Sequence, residues 1–67
     1  MRYLLTVLKS DEDVADDVLY CGRDWSRARS VLDSARSNPE LKGKRICMLT
    51  TTDDGKEVVQ RRVTAVY

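Results

Sequence analysis

Hydrophobic residues along this chain fall into four short segments with the two-residue period of β-strands and one segment with the period of a helix. The predicted strands are Tyr3–Leu8, Val18–Cys21, Arg45–Thr51 and Val58–Val66, and the predicted helix is Trp25–Ser37. This β-β-α-β-β order predicts an α+β fold, in which a four-stranded antiparallel sheet carries one helix packed on one face.

The helix has one apolar stripe and clear boundaries. The stripe consists of Trp25, Ala28, Val31, Leu32 and Ala35. Asp24 precedes it as a predicted N-cap, because its carboxylate can accept hydrogen bonds from the free amides of the first turn. Asn38-Pro39 ends it, since the residue before a proline is disfavoured in the α-helical region.

The connections between these elements are polar or rich in glycine. Ser10–Asp17 is predicted to be an acidic, solvated loop, and Gly43 to supply a turn before the third strand. Asp54-Gly55 predicts a hairpin between the last two strands, because both residue types accept the backbone angles of a tight turn.

The strands are apolar on both faces, which is more than one short helix can cover. In the first strand Tyr3, Leu5 and Val7 point one way, whereas Leu4 and Leu8 point the other. We expect the surplus on the long last hairpin to form a self-association or partner surface. Its candidate residues are Met48, Leu49, Val58, Val59, Arg61 and Val63.

Sixty-seven residues form a single domain, residues 1–67, near the lower limit at which a hydrophobic core suffices. Association into a homodimer is the natural supplement, because no metal site and no cofactor are predicted. The chain has no histidine, and Cys21 and Cys47 are interpreted as small buried thiols within strands. No signal peptide or membrane span is evident, so a soluble cytoplasmic protein is expected.

Charge is unevenly distributed although the net charge is only +1. Residues 1–21 hold two basic residues against five acidic ones, and residues 22–67 hold ten basic residues against six acidic ones. The two parts are predicted to attract each other, within one chain or between two copies. A basic strip of Lys44, Arg45, Arg61 and Arg62 supports nucleic-acid binding only weakly, since adjacent strand residues face opposite sides.

Catalysis is not expected, because no catalytic motif is present and Cys21 has no base partner in the sequence. The start of the helix is the best candidate for a ligand site, since it combines aromatic side chains, arginines and free amides. Its residues are Tyr20, Arg23, Trp25 and Arg27. The alternative is that Asp24 occupies the amides and that the aromatic side chains belong to the core.

Three short patterns carry a family resemblance across residues 18–59. They are Tyr20-x-Gly22-x-Asp24-x3-Ala28-x3-Leu32, Gly43-x2-Ile46-x-Met48 and Asp54-Gly55-x2-Val58. With these patterns the chain resembles small uncharacterised proteins encoded by tailed phages and some bacteria. The resemblance implies an accessory factor that binds a host component or a small signalling molecule, and it assigns no functional residues.

These observations lead to three hypotheses about function. The first is a non-catalytic protein-binding module, such as a phage accessory factor that inhibits a host or defence protein through its sheet face or hairpin. The second is a binder that sequesters a nucleotide-like signalling ligand at the start of the helix. The third is a weak nucleic-acid-binding protein that uses the last hairpin.

Overall fold

A computed structural model describes all 67 residues and confirms the predicted α+β fold. Its elements are β1 (Arg2–Leu8), β2 (Ala15–Gly22), α1 (Trp25–Arg36), a short 3-10 helix (Pro39–Leu41), β3 (Arg45–Thr51) and β4 (Val58–Ala65). The four strands form one sheet in the order β2-β1-β3-β4, and every neighbouring pair is antiparallel. The two central strands are therefore β1 and β3, and β2 and β4 form the edges.

The helix crosses from one half of the sheet to the other. Strands β2 and β3 run parallel to each other, because each is antiparallel to β1, which lies between them. A connection between parallel strands needs a crossover, and α1 provides it. The helix packs mainly on β1 and β2, so β4 lies beyond its cover.

The core lies between the helix and one face of the central strands. Leu5 of β1 and Ile46 of β3 are fully buried there. Ala28 and Ala35 are the buried residues of α1, and their small size lets the helix approach the sheet closely. Met48 and Val66 complete this cluster, and Val31 and Leu32 of the predicted stripe are half-buried.

The predicted boundaries of the helix are confirmed to within one residue. The Asp24 carboxylate accepts a hydrogen bond from the Arg27 backbone amide at 3.2 Å, as expected of an N-cap. Ser37 is the C-cap and follows the last helical residue. The Asn38 side chain then accepts from the Glu40 amide at 3.0 Å, and this bond starts the short 3-10 helix.

Two glycines supply the turns that the sequence predicts at these positions. Gly43 has a φ of 83° and Gly55 a φ of 74°, a region that other residues rarely adopt. The Gly43 amide donates to the Val66 carbonyl at 2.8 Å, and the Val66 amide donates to the Lys44 carbonyl at 2.9 Å. These bonds tie the chain after β4 to the segment before β3.

The prediction for the second strand is too short, and the predicted acidic loop is correspondingly too long. Strand β2 begins at Ala15, so Asp16 and Asp17 belong to the strand and not to the loop. Pairing with β1 outweighs the low strand propensity of aspartate, because the strand is at an edge and its carboxylates stay in water. Two register irregularities in the β1–β2 pair also accommodate these residues.

The interpretation of both cysteines as buried thiols is half wrong. Cys47 on central strand β3 is buried, as expected, and Cys21 on edge strand β2 is exposed. The difference follows from position, since an edge strand has neighbours on one side only. Both thiols are free.

Candidate binding surfaces

The sheet face opposite the helix, called the open face below, has an apolar middle. The strand register aligns Val18, Thr6, Cys47 and Val63 in one row across the sheet, and Cys21, Leu4, Leu49 and Arg61 in the next. Thr6 and Cys47 are buried between larger neighbours, whereas the outer valines are 55% and 40% exposed. Val18 and Val63 thus present apolar surface at both ends of the first row.

One end of the open face is covered by the acidic loop, residues 9–14. The Arg45 guanidinium donates to the Asp13 carboxylate at 2.8 Å and to the backbone carbonyls of Lys9 and Glu12, each at 3.0 Å. Leu8, next to this loop, is 5% exposed although it points away from the helix. The loop therefore covers part of the apolar surplus that the sequence indicates.

The ion pair between Arg45 and Asp13 is an instance of the attraction predicted between residues 1–21 and residues 22–67. It joins the acidic first part of the chain to the basic second part, within one molecule. Arg61 approaches the same carboxylate at 4.0 Å. Arg45 is consequently engaged with the loop, which interrupts the basic strip considered for nucleic-acid binding.

The other end of the open face carries a shallow depression of about 290 Å³. Leu4 and Leu49 form its apolar floor, and the exposed Cys21 stands at its side. The remaining lining residues are Arg2, Tyr3, Thr51 and Gly55. Leu4 and Cys21 were not among the candidate residues, although their strand parity places them beside Leu49 once the sheet order is known.

The structure sorts the six predicted interface residues into two groups. Val58, Val59, Val63 and Arg61 are exposed on β4, and Leu49 is half-buried on the open face. Met48 is 4% exposed and belongs to the core beneath the helix. The expectation of an exposed Met48 is therefore wrong, since the helix packs on the face to which Met48 points.

The start of the helix is held by contacts among its own residues. The Tyr20 hydroxyl accepts from the Asp24 amide at 3.2 Å and donates to the Asp24 carbonyl at 3.4 Å. The Tyr20 ring lies over Gly22, where a β-carbon would come within 2.5 Å of the hydroxyl oxygen. The Tyr20 side chain thus holds the backbone of Asp24, the residue directly before the helix.

The other predicted ligand residues remain more accessible. Trp25 stacks on Tyr3 in a tilted arrangement, with ring centroids 5.3 Å apart, and stays 46% exposed. Arg23 and Arg27 are exposed beside it. Binding of a nucleotide-like ligand here stays a prediction, which a thermal-shift titration with nucleotides would test, although Asp24 already takes the Arg27 amide.

The turn between β3 and β4 concentrates favourable electrostatics. The N-terminal ammonium lies 2.6 Å from the Asp53 carboxylate, and this bond holds the pKa of Asp53 below its usual value. The Thr52 hydroxyl and the Lys56 amide donate to Asp54 and lower the pKa of that carboxyl in the same way. Ionised Asp53 and Asp54 therefore stabilise the folded state at pH values above the pKa values that the two groups have in the unfolded chain. This stabilisation is lost as the pH falls through their lower pKa values in the folded state.

No group of three or more potential metal ligands is present, and no helix has the length and hydrophobicity needed to cross a membrane. No protein-family model, no curated protein and no solved structure matches this chain. The surfaces described above are consequently the basis for any inference about function.

Proposed function

We propose that this protein is a non-catalytic binding protein whose open face docks another protein. One observation carries the proposal: the open face exposes valines at both ends of one row and an apolar depression between Leu4 and Leu49. Exposed apolar surface of this kind, bordered by Arg2 and Arg61, is typical of a protein-interaction site.

The resemblance to accessory proteins of phages and bacteria supports a host or defence protein as the partner, with inhibition as the outcome. The two free thiols support a cytoplasmic location, because cytosolic conditions keep cysteines reduced. The side chains on this face are aliphatic, hydroxyl, thiol and guanidinium groups, which suit recognition better than acid–base chemistry.

Cys21 offers a direct test, because it is exposed in the depression while Cys47 is buried. A thiol-reactive photocrosslinker attached to Cys21 should capture a protein from a bacterial host lysate. The control carries the same crosslinker on the helix, at position 30 of the Cys21→Ser, Ser30→Cys double variant, and should not capture that protein. Ser30 is exposed on the helix. Capture that is the same from both positions would contradict docking on the open face.

Competition with unlabelled variants sharpens this experiment. Leu49→Thr keeps a strand-forming residue but removes apolar volume from the depression, so it should compete roughly tenfold less well than the unmodified chain. Leu41→Thr is the matched control, because Leu41 is also half-buried but packs against the core on the helix side. Crosslinking of the purified chain to itself would instead identify the homodimer expected from the sequence.

A further inference from the structure

We propose that the two edges of the sheet bind each other in head-to-tail fashion, so that β2 of one copy pairs with β4 of the next. The sheet would then continue from molecule to molecule. This inference goes beyond the docking of a partner on the open face, because it concerns the edges of the sheet and does not depend on that proposal.

The direction and length of the two edge strands permit this pairing. Each edge strand has only one neighbour, so its outward amides and carbonyls have no strand partner. The alternating directions in the sheet make β2 and β4 antiparallel to each other. A second copy shifted sideways without inversion therefore brings its β2 antiparallel to β4, and both strands have eight residues.

The charges on the two edges are complementary. Strand β2 carries Asp16 and Asp17, and neither makes an ion pair within the chain. Strand β4 carries Arg61 and Arg62 at its centre, and only Arg61 reaches an acid, Asp13, at 4.0 Å. A two-fold pairing of β4 with β4 would place arginines opposite arginines, which is unfavourable. The same argument disfavours β2 with β2.

One register satisfies charge and side-chain direction together. Arg62 pairs with Met48 and Asp17 pairs with Val7, so both side chains lie on the helix side of the sheet. Placing Arg62 opposite Asp17 sets Arg61 opposite Val18 on the open face. The exposed Val63 then becomes a diagonal neighbour of Val18, within reach of an apolar contact.

The local structure of β2 limits the strength of this association. The Asp17 carboxylate accepts a hydrogen bond from the Val18 amide at 2.9 Å, and pairing exchanges this bond for the ion pair with Arg62. Register irregularities on either side of Asp17 and Val18 shorten the regular ladder. We therefore expect weak, reversible association. The interface is heterologous, and a repeated sideways shift of one copy against the next gives an open-ended assembly rather than a closed dimer.

Charge exchange at one position on each edge tests the proposal. Sedimentation of the wild-type chain at low salt should show a mass that rises with concentration beyond a dimer, and the rise should diminish at high salt as the charges are screened. Arg62→Glu alone and Asp17→Lys alone should each weaken association by roughly tenfold, because like charges then face each other. An equimolar mixture of the two variants restores opposite charges at every interface and should regain the wild-type behaviour.

Arg29→Glu is the control for net charge, since Arg29 is exposed on the helix and belongs to neither edge strand. This variant should associate like the wild type. A wild-type chain that stays monomeric at all concentrations and salt levels would overturn the proposal, as would a mixture that fails to associate. These outcomes are separable from failure of the open-face proposal, because Arg62 and Asp17 point to the helix side and their exchange leaves Leu49 and Cys21 unchanged.

Discussion

At the scale of single residues, Gly22 has the least room for a side chain among the three glycines, because Tyr20 lies against it. A β-carbon on Gly22 would stand 2.5 Å from the Tyr20 hydroxyl oxygen and 2.9 Å from the ring carbon that carries it. The ring cannot retreat freely, because the hydroxyl is bonded to both backbone groups of Asp24. A side chain at position 22 would therefore also disturb Asp24, the N-cap residue directly before the helix.

We predict that Gly22→Ala lowers the free energy of unfolding by roughly 1–3 kcal/mol, the usual range for overpacking. Urea denaturation followed by circular dichroism measures this change. Gly43→Ala is an informative comparison, because the space around Gly43 is empty and only its positive φ opposes the new side chain. Gly43→Ala should lower the free energy of unfolding by about 1 kcal/mol.

A double-mutant cycle separates the clash from other effects. Tyr20→Phe removes the oxygen nearest to the added carbon, so Gly22→Ala should cost less in that background than in the wild type. Equal costs in the two backgrounds would show that Tyr20 does not constrain position 22.

At the scale of elements, the acidic loop depends on one side chain from a distant strand. Arg45 bonds to three oxygen atoms of residues 9–13, two of which are backbone carbonyls. A planar guanidinium can serve several acceptors at once, and an ammonium cannot reproduce this geometry. The side chain is only partly exposed, 34%, so solvent screens the interaction incompletely.

We predict that Arg45→Ala destabilises the protein by roughly 1–2 kcal/mol, combining lost charged hydrogen bonds with the small value of an exposed ion pair. The loop should also become accessible, which limited proteolysis or amide hydrogen exchange within residues 9–14 would detect. Arg45→Lys should recover only part of the loss. Arg29→Ala is the control, because Arg29 is an exposed arginine on the helix. If the loop in Arg45→Ala kept its protection from proteolysis and exchange, the loop would be shown to fold without the guanidinium.

The elements also show what the sequence can predict. Periodicity and capping residues were sufficient for the helix and the four strands, because these signals are local. The strand position of Asp16 and Asp17 was missed, since it depends on hydrogen bonds to β1. Met48 and Leu49 are adjacent and therefore lie on opposite faces of the strand, yet both were expected on the same partner surface. The pattern alone does not tell which of the two faces the helix covers, and it covers the face of Met48.

At the scale of the whole molecule, the fold is stabilised unevenly from one edge to the other. The Cα atoms span only 15 Å along the shortest axis, as expected for two layers. The helix packs mainly on β1 and β2, whereas β4 lies at the edge and pairs with β3 as its one neighbouring strand. Of the eight residues in β4, only Thr64 is even partly buried. An edge strand with so little burial should open more easily than the rest of the protein.

We predict a gradient of amide hydrogen exchange across the sheet. Amides of β1 and β3 that bond to each other should exchange only through global unfolding, because these strands carry Leu5 and Ile46 and have neighbours on both sides. Amides that join β3 to β4 should exchange through a local opening with a lower free energy, as measured by native-state exchange in increasing urea. Protection of the β3–β4 amides equal to that of the β1–β3 amides would contradict this, and would show that the last hairpin unfolds only with the core. Dilution provides the control, because head-to-tail association covers β4 and should raise its protection only at high protein concentration.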